Sequence, residues 1–234
     1  MIQNQIMEST KKNDGISPVK ANRLYWMGRY AQRAYMALHL LRKHYDRMID
    51  EDSSAYKDFC TKMGIEDKYV SPENFIECYL YDEANSDSVV NMLESLRDNA
   101  ILLREEIKSE TLSYIQLAIN YMKSGKAMGK GLGGLQYITD CLLAFWGSVD
   151  ERILTQSVRY IIKFGKLVES IDLHIRFEYP FERIEDLYDR LSEYFSVDSE
   201  LFDKVQFYAV GKQLHSHDYK NLTTLSSLNT IFRA

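Results

Sequence analysis

Two clusters of polar residues interrupt otherwise apolar helical sequence, and their types are those that bind anions or move protons. The first is Arg29, Gln32 and Arg33, inside Gly28-Arg29-Tyr30-Ala31-Gln32-Arg33-Ala34. The second is Glu169 and Asp172, inside Gly165-Lys166-Leu167-Val168-Glu169-Ser170-Ile171-Asp172. Between them lie Arg97, Asn99, Arg104 and Glu105. Guanidinium forks bind carboxylates and phosphates bidentately and stay charged at any relevant pH. Arg29, Arg33, Arg97 and Arg104 are therefore a candidate anion-binding set, with Glu169 a candidate general base. The plainer reading is a structural network in which Glu169, Asp172, Asp98 and Glu105 pair with these arginines. Either way each group needs a partner, because an unsatisfied buried polar group costs about 1 to 3 kcal/mol, and more when charged.

Other chemistries find less support. Glu169 and Asp172, at i and i+3, project together as carboxylates do in di-metal bundles. Such bundles add a His three residues after a Glu, and no Glu-x-x-His occurs; His39, His44 and His174 have no matched spacing. No metal and no cofactor is expected. His215-x-His217 places its two rings on different sides of a helix. The run from Gly125 to Gly131 departs from a phosphate loop, with three residues rather than four before Gly129-Lys130 and Gly131 where Ser or Thr is needed. It reads instead as a connector, with Lys123, Lys126 and Lys130 available to a partner. No Ser or Cys occupies a nucleophile-elbow context.

The elements that must position these residues are helices. Ser17 can cap and Pro18 can occupy the first helical position, opening a helix to about Ile49. Leu24, Gly28, Ala31, Tyr35 and Leu38 recur on it at helical spacing. Short helices are expected over Ser54 to Met63 and from Ser71-Pro72-Glu73 to about Leu80. The period from Val89 to Met122 predicts a second long helix, and five of the chain's eleven glycines, between Ser124 and Gly134, predict a loop. A third helix is expected from Leu135 to Trp146, ended by Gly147. Ser148 with Glu151 then has the form of a capping box for a fourth, Asp150 to about Glu178. Phe181 to Phe195, Ser199 to Val210 and Tyr219 to Phe232 complete a helical C-terminal part. Gly28 and Gly165 lie in helix interiors, where glycine is costly, which points to close helix approach or a backbone opened to a ligand. The expected fold is all-α, a single-domain helical bundle with an internal duplication, with residues 1–16 a flexible N-terminal tail and 17–234 one helical domain.

Composition narrows the function classes. A net charge of −5 argues against non-specific nucleic-acid binding. No stretch has the apolar length of a membrane span, and the polar start lacks a secretory core. Cys60, Cys78 and Cys141, odd in number and widely spaced, suggest a reducing cytoplasm rather than a disulfide framework. Seventeen tyrosines suit a partly polar core or a binding surface.

Asn22-Arg23-Leu24-Tyr25-Trp26-Met27-Gly28-Arg29-Tyr30-Ala31-Gln32-Arg33-Ala34 resembles the opening helix of the alpha-E family, whose helices carry a recurring Glu-Arg pair. Arg159 to Arg176 resembles the later helix in which that family repeats a Gly-Arg-x-x-Glu-Arg-x-Asp pattern. Arg97-Asp98-Asn99-Ala100 with Arg104-Glu105 and Asn120 resembles its middle helix. Each copy here keeps a different half of the pair, Gln32-Arg33 in the first and Glu169-Ser170 in the second; Asp172 is retained, and Tyr35 stands at its counterpart. If the copies meet about a pseudo-twofold axis, Arg33 and Glu169 pair across the core. The resemblance implies a domain whose own activity is not established, often encoded near or fused to ATP-grasp-type peptide ligases and transglutaminase-like proteins. The expectation is a non-catalytic accessory or binding protein of an ATP-grasp-type ligase or peptide-modifying system. The alternative is an enzyme whose arginine and carboxylate site acts on an anionic substrate, and a third reading is a structural homo-oligomer.

Overall fold

The computed structural model describes residues 16–127, 131–195, 200–216 and 221–233. Eleven helices appear among the described residues: α1 (Pro18–Asp46), α2 (Ala55–Met63), α3 (Pro72–Tyr81), α4 (Val89–Leu102), α5 (Arg104–Ile107), α6 (Ser109–Ala127), α7 (Leu135–Arg152), α8 (Gln156–Arg176), α9 (Phe181–Ser192), α10 (Lys204–His215) and α11 (Asn221–Asn229). The fold is all-α. No strand occurs among the described residues, and one isolated antiparallel bridge joins Phe202 and Phe232. No helix of the described residues is long and apolar enough to cross a membrane.

Helix starts follow local chemistry. The Ser17, Ser71 and Ser88 hydroxyls accept from the backbone N–H of Lys20, Asn74 and Asn91, and Asp203 accepts from Gln206 N–H. Each supplies a partner to an amide that has none inside the helix. Pro18 and Pro72 occupy first-turn positions, where the missing N–H costs nothing. Gly64 ends α2 in the left-handed conformation at φ 70°. Ile16, assigned to the tail by sequence, is half-buried against the core; the rest of that tail, residues 1–15, lies outside the described residues.

α8 is the central helix. Leu167 to Ile175 are buried without interruption, so it is covered on every side. α1 lies along α8 and against α4, α9 flanks α8, and α11 packs on both α8 and α10. α1 ends in a π-helical turn, Arg47–Glu51, rather than continuing to Ile49 as α-helix.

Other boundaries also differ from sequence, among them α10, which begins at Lys204 and runs to His215 where a helix ending at Val210 is expected. The expected single helix from Val89 to Met122 is a hairpin of α4, α5 and α6. Lys123 Nζ lies 2.7 Å from Glu94 Oε1, whereas a straight helix would separate these residues by about 43 Å at 1.5 Å per residue. The bend uses neither Gly nor Pro. It passes through Lys108 at φ 70°, ψ 154°, held there because Leu103 and Ile107 are fully buried while α4 packs on α1 and α6 on α7. Gly147 does not end α7, which runs on to Arg152. Ser148, half of the expected capping box, is buried and shares a 2.8 Å hydrogen bond with the Thr111 hydroxyl; the chain turns instead at Ile153–Thr155, and α8 starts at Gln156. Helix α6 persists through Gly125 to Ala127, and a 3-10 turn spans Gly131–Gly134. Met128 to Lys130 of the glycine-rich stretch, Ser199 and His217 lie outside the described residues.

Candidate functional site

Two glycines set the geometry. A Cβ on Gly28 would stand 2.1 Å from the Ile162 carbonyl oxygen, and one on Gly165 would stand 2.2 Å from the Tyr25 carbonyl oxygen. Each glycine faces the carbonyl three residues before the other. Only residues without a Cβ let α1 and α8 meet backbone to backbone here, so the sequence-based reading of close approach holds.

One turn along from this contact, the polar residues of α1 and α8 meet. Glu169, 1 % exposed, receives both arginines of α1: Arg29 Nε donates to Oε2 at 2.6 Å and Arg33 Nη1 donates to Oε1 at 3.1 Å. The expected pairing of Arg33 with Glu169 across the core is present. Arg33 Nη2 also donates to the Met63 carbonyl at 3.1 Å, tying in the end of α2. Arg29 Nη1 donates to the Tyr25 hydroxyl at 3.3 Å and to Asn229 Oδ1 at 2.5 Å. Burial is the largest single influence on the Arg29 charge and works against it; Glu169, Tyr25 and Asp172 together outweigh it and hold the guanidinium above its ordinary value. Burial also pushes the Tyr25 hydroxyl up.

Asp172, one turn further on, is equally enclosed. Arg176 Nε donates to Oδ1 at 2.6 Å and Asn229 Nδ2 donates to Oδ2 at 3.4 Å. Arg176 lies against Gly64, where any Cβ would come within 2.8 Å of Nη1. The glycine therefore serves two ends, permitting the positive φ and leaving room for the guanidinium.

These groups floor a cleft of about 440 Å³, lined by Arg29, Arg33, Arg176, Asp172 and Asn229 together with Asn22 and an aromatic side. On that side Tyr25 stacks on Phe232 with centroids 4.3 Å apart. The Arg29 guanidinium carbon lies 5.3 Å from the Trp26 ring centroid, a cation–π contact. Trp26 is 39 % exposed, so part of its indole is open to solvent.

Of the residues singled out from sequence, Arg29, Arg33, Glu169 and Asp172 thus come together, and Gln32 is buried on the same stretch of α1. Arg97, Asn99, Arg104 and Glu105 are placed elsewhere. Arg97 pairs with Glu94 at 2.5 Å and Asp98 at 3.3 Å. Asn99 donates to the Ser95 carbonyl, Arg104 donates to the Ser109 hydroxyl, and Arg104 and Glu105 border a separate surface hollow with Lys108 and Glu110. The hairpin bend after Leu102 carries these last two away from α8. The centre also recruits residues not singled out. Arg176 has a local signal, standing four residues after Asp172 on one helix face. Asn229, 200 residues from Arg29, has none.

A model of the alpha-E family, described as a predicted alpha-helical domain with a conserved ER motif, matches residues 19–196, extending past α8 through α9. Comparisons with curated proteins and with solved structures find no match. With a Glu and an Arg from two helices joined at its centre and the match running over most of its length, the chain belongs to the alpha-E family.

Proposed function

We propose that this chain is a non-catalytic binding subunit, an accessory protein of an ATP-grasp-type ligase or a related peptide-modifying enzyme, whose arginine-lined cleft holds an anionic group. The observation that carries this reading is the state of the two carboxylates. Glu169 is fully buried with both oxygens held by Arg29 and Arg33, and Asp172 has both oxygens engaged by Arg176 and Asn229. A general base needs an accessible lone pair near its substrate, and a guanidinium cannot give up a proton at working pH. The cleft is therefore suited to hold a charged group rather than to transform one. The ligase as partner rests on the family association alone.

Two coarser proposals accompany it. The reciprocal contacts of Gly28 and Gly165 support reading α1 and α8 as the matching helices of an internal duplication. The free thiols of Cys60, Cys78 and Cys141 support a cytoplasmic location.

A second reading, an enzyme acting on an anionic substrate, draws on the same cleft and on the partial exposure of Arg33 and Arg176. Purification of the tagged protein from its own host separates the two. Stoichiometric recovery of an amide-bond-forming, ATP-consuming enzyme is the expected result. A lone chain with turnover abolished by Glu169→Gln, its fold intact, would overturn the accessory reading.

A further inference from the structure

We infer that the cleft recognises the free carboxyl terminus of a peptide whose last side chain is apolar or aromatic. This rests on the reading of the cleft as an anion-binding site and names the class of anion. Charge comes first. Among the described residues three guanidiniums, of Arg29, Arg33 and Arg176, face two carboxylates, Glu169 and Asp172, an excess of one positive charge at the cleft. One carboxylate restores neutrality, whereas a phosphate dianion would overshoot it.

Donor geometry comes second. Among the described residues Arg176 uses only Nε, so Nη1 and Nη2 have no hydrogen-bond partner there, and neither does Arg33 Nε. The terminal pair of a guanidinium matches the two oxygens of a carboxylate in a fork. Arg176 is 29 % and Arg33 26 % exposed at the side chain, so both are within reach of a ligand.

The rest of the lining fits what precedes a chain terminus. Asn22 lines the cleft and makes no side-chain hydrogen bond among the described residues. Its carboxamide carries both N–H donors and an acceptor oxygen, so it can pair with the C=O and the N–H of a peptide group. Trp26, 39 % exposed, and Phe232 both line the cleft and supply apolar aromatic surface for the terminal side chain. Carboxylate fork, amide partner and aromatic wall border one cavity of about 440 Å³, the size of a short peptide end.

Titration calorimetry on the full chain tests this with N-acetyl-alanyl-alanyl-phenylalanine, the same peptide as its C-terminal amide, and inorganic phosphate. The free acid should bind and the amide should bind at least tenfold more weakly. Asn22→Ala and Trp26→Ala should each weaken the acid about three- to tenfold; Asn22→Ala should leave the melting temperature unchanged, Trp26→Ala should lower it modestly through loss of its contact with Arg29 while the melt stays cooperative, and both variants avoid the larger stability loss expected on removing Arg176 from buried Asp172. Equal binding of acid and amide, or no effect of either variant, overturns the inference. Binding of phosphate without the peptide acid also overturns it while leaving the anion-binding reading standing. Absence of binding by all three overturns both.

Discussion

Gly28 and Gly165 face one another across the crossing of α1 and α8 in a reciprocal relation, each directed at the carbonyl three residues before its counterpart. The 2.1 Å and 2.2 Å separations that a Cβ would have from these oxygens leave no room for any side chain. This contact fixes the depth at which the two helices meet. It thereby places Glu169 of one helix within hydrogen-bond reach of Arg29 and Arg33 of the other.

Gly28→Ala and Gly165→Ala should each destabilise the protein by about 3 kcal/mol or more, above the usual overpacking range because the obstacle is backbone rather than a movable side chain. The double variant should cost less than the sum, since one displacement of α1 from α8 relieves both clashes. Urea denaturation of the three variants measures this; full additivity would mean the two contacts are independent.

Removing the charge at Glu169 strands the buried Arg29 guanidinium. Glu169→Gln should therefore cost about 3 to 5 kcal/mol. Arg33→Ala should cost less, about 1 to 2 kcal/mol, because that side chain is partly exposed and Arg29 still holds Glu169. A double-mutant cycle on Arg33 and Glu169 should give a coupling of about 1 to 2 kcal/mol, and zero coupling would count against the pairing.

His174 is buried, its Nδ1 donating to the Ser170 carbonyl at 2.6 Å. Burial is the main force holding its pKa below the ordinary 6.5, with Arg183 and His39 acting the same way and the Ser170 bond opposing. The unfolded chain then binds a proton more readily than the folded one, so stability should be level above pH 6.5 and decline as pH falls below it. His44, also lowered by burial, adds to this trend, while His215, raised by the Gly211 carbonyl and Asp189, opposes it. Melting temperatures between pH 7.5 and 5 for the wild type and His174→Gln check the assignment: the decline should be shallower in the variant.

Lys166, on α8 beside Gly165, is pulled down to about 8, mainly by burial and further by Arg190. Its ammonium lies 4.2 Å from the Trp146 ring centroid, which offsets part of the desolvation. In the window from about 8 up to the ordinary 10.5 the unfolded chain holds the proton that the folded chain has released, so this residue's contribution rises with pH there and is at its least favourable below about 8. Lys166→Met should raise the melting temperature at pH 7, with the gain shrinking toward pH 10. A drop at pH 7 would mean that the Trp146 contact outweighs the burial cost.

The sequence by itself determined the helical class and the helix starts at Ser17 and Ser71, and it narrowed the two mid-helix glycines to close helix approach or a backbone opened to a ligand, because these follow from periodicity and from what a backbone amide or a missing Cβ requires over a few residues. It also marked Arg29, Arg33, Glu169 and Asp172, since charges on an apolar helix face must find partners. Tertiary structure decided the remainder. The Val89 to Met122 pattern gives no sign of its hairpin, because a helical stripe is the same whether its two halves bury against one neighbour or two; only packing on α1 and α7 turns the chain at Lys108. Ser148 and Gly147 carry the local marks of a helix junction, yet a hydrogen bond shared between Ser148 and distant Thr111 and the burial of Val149 keep them inside α7. Asn229, which joins Arg29 to Asp172, has no local signature at all. Its place depends on the C-terminal segment folding back over α1 and α8, through the Phe202–Phe232 bridge and the Phe232–Tyr25 stack, and such long-range contacts are set by the summed burial of many side chains rather than by the identity of any one.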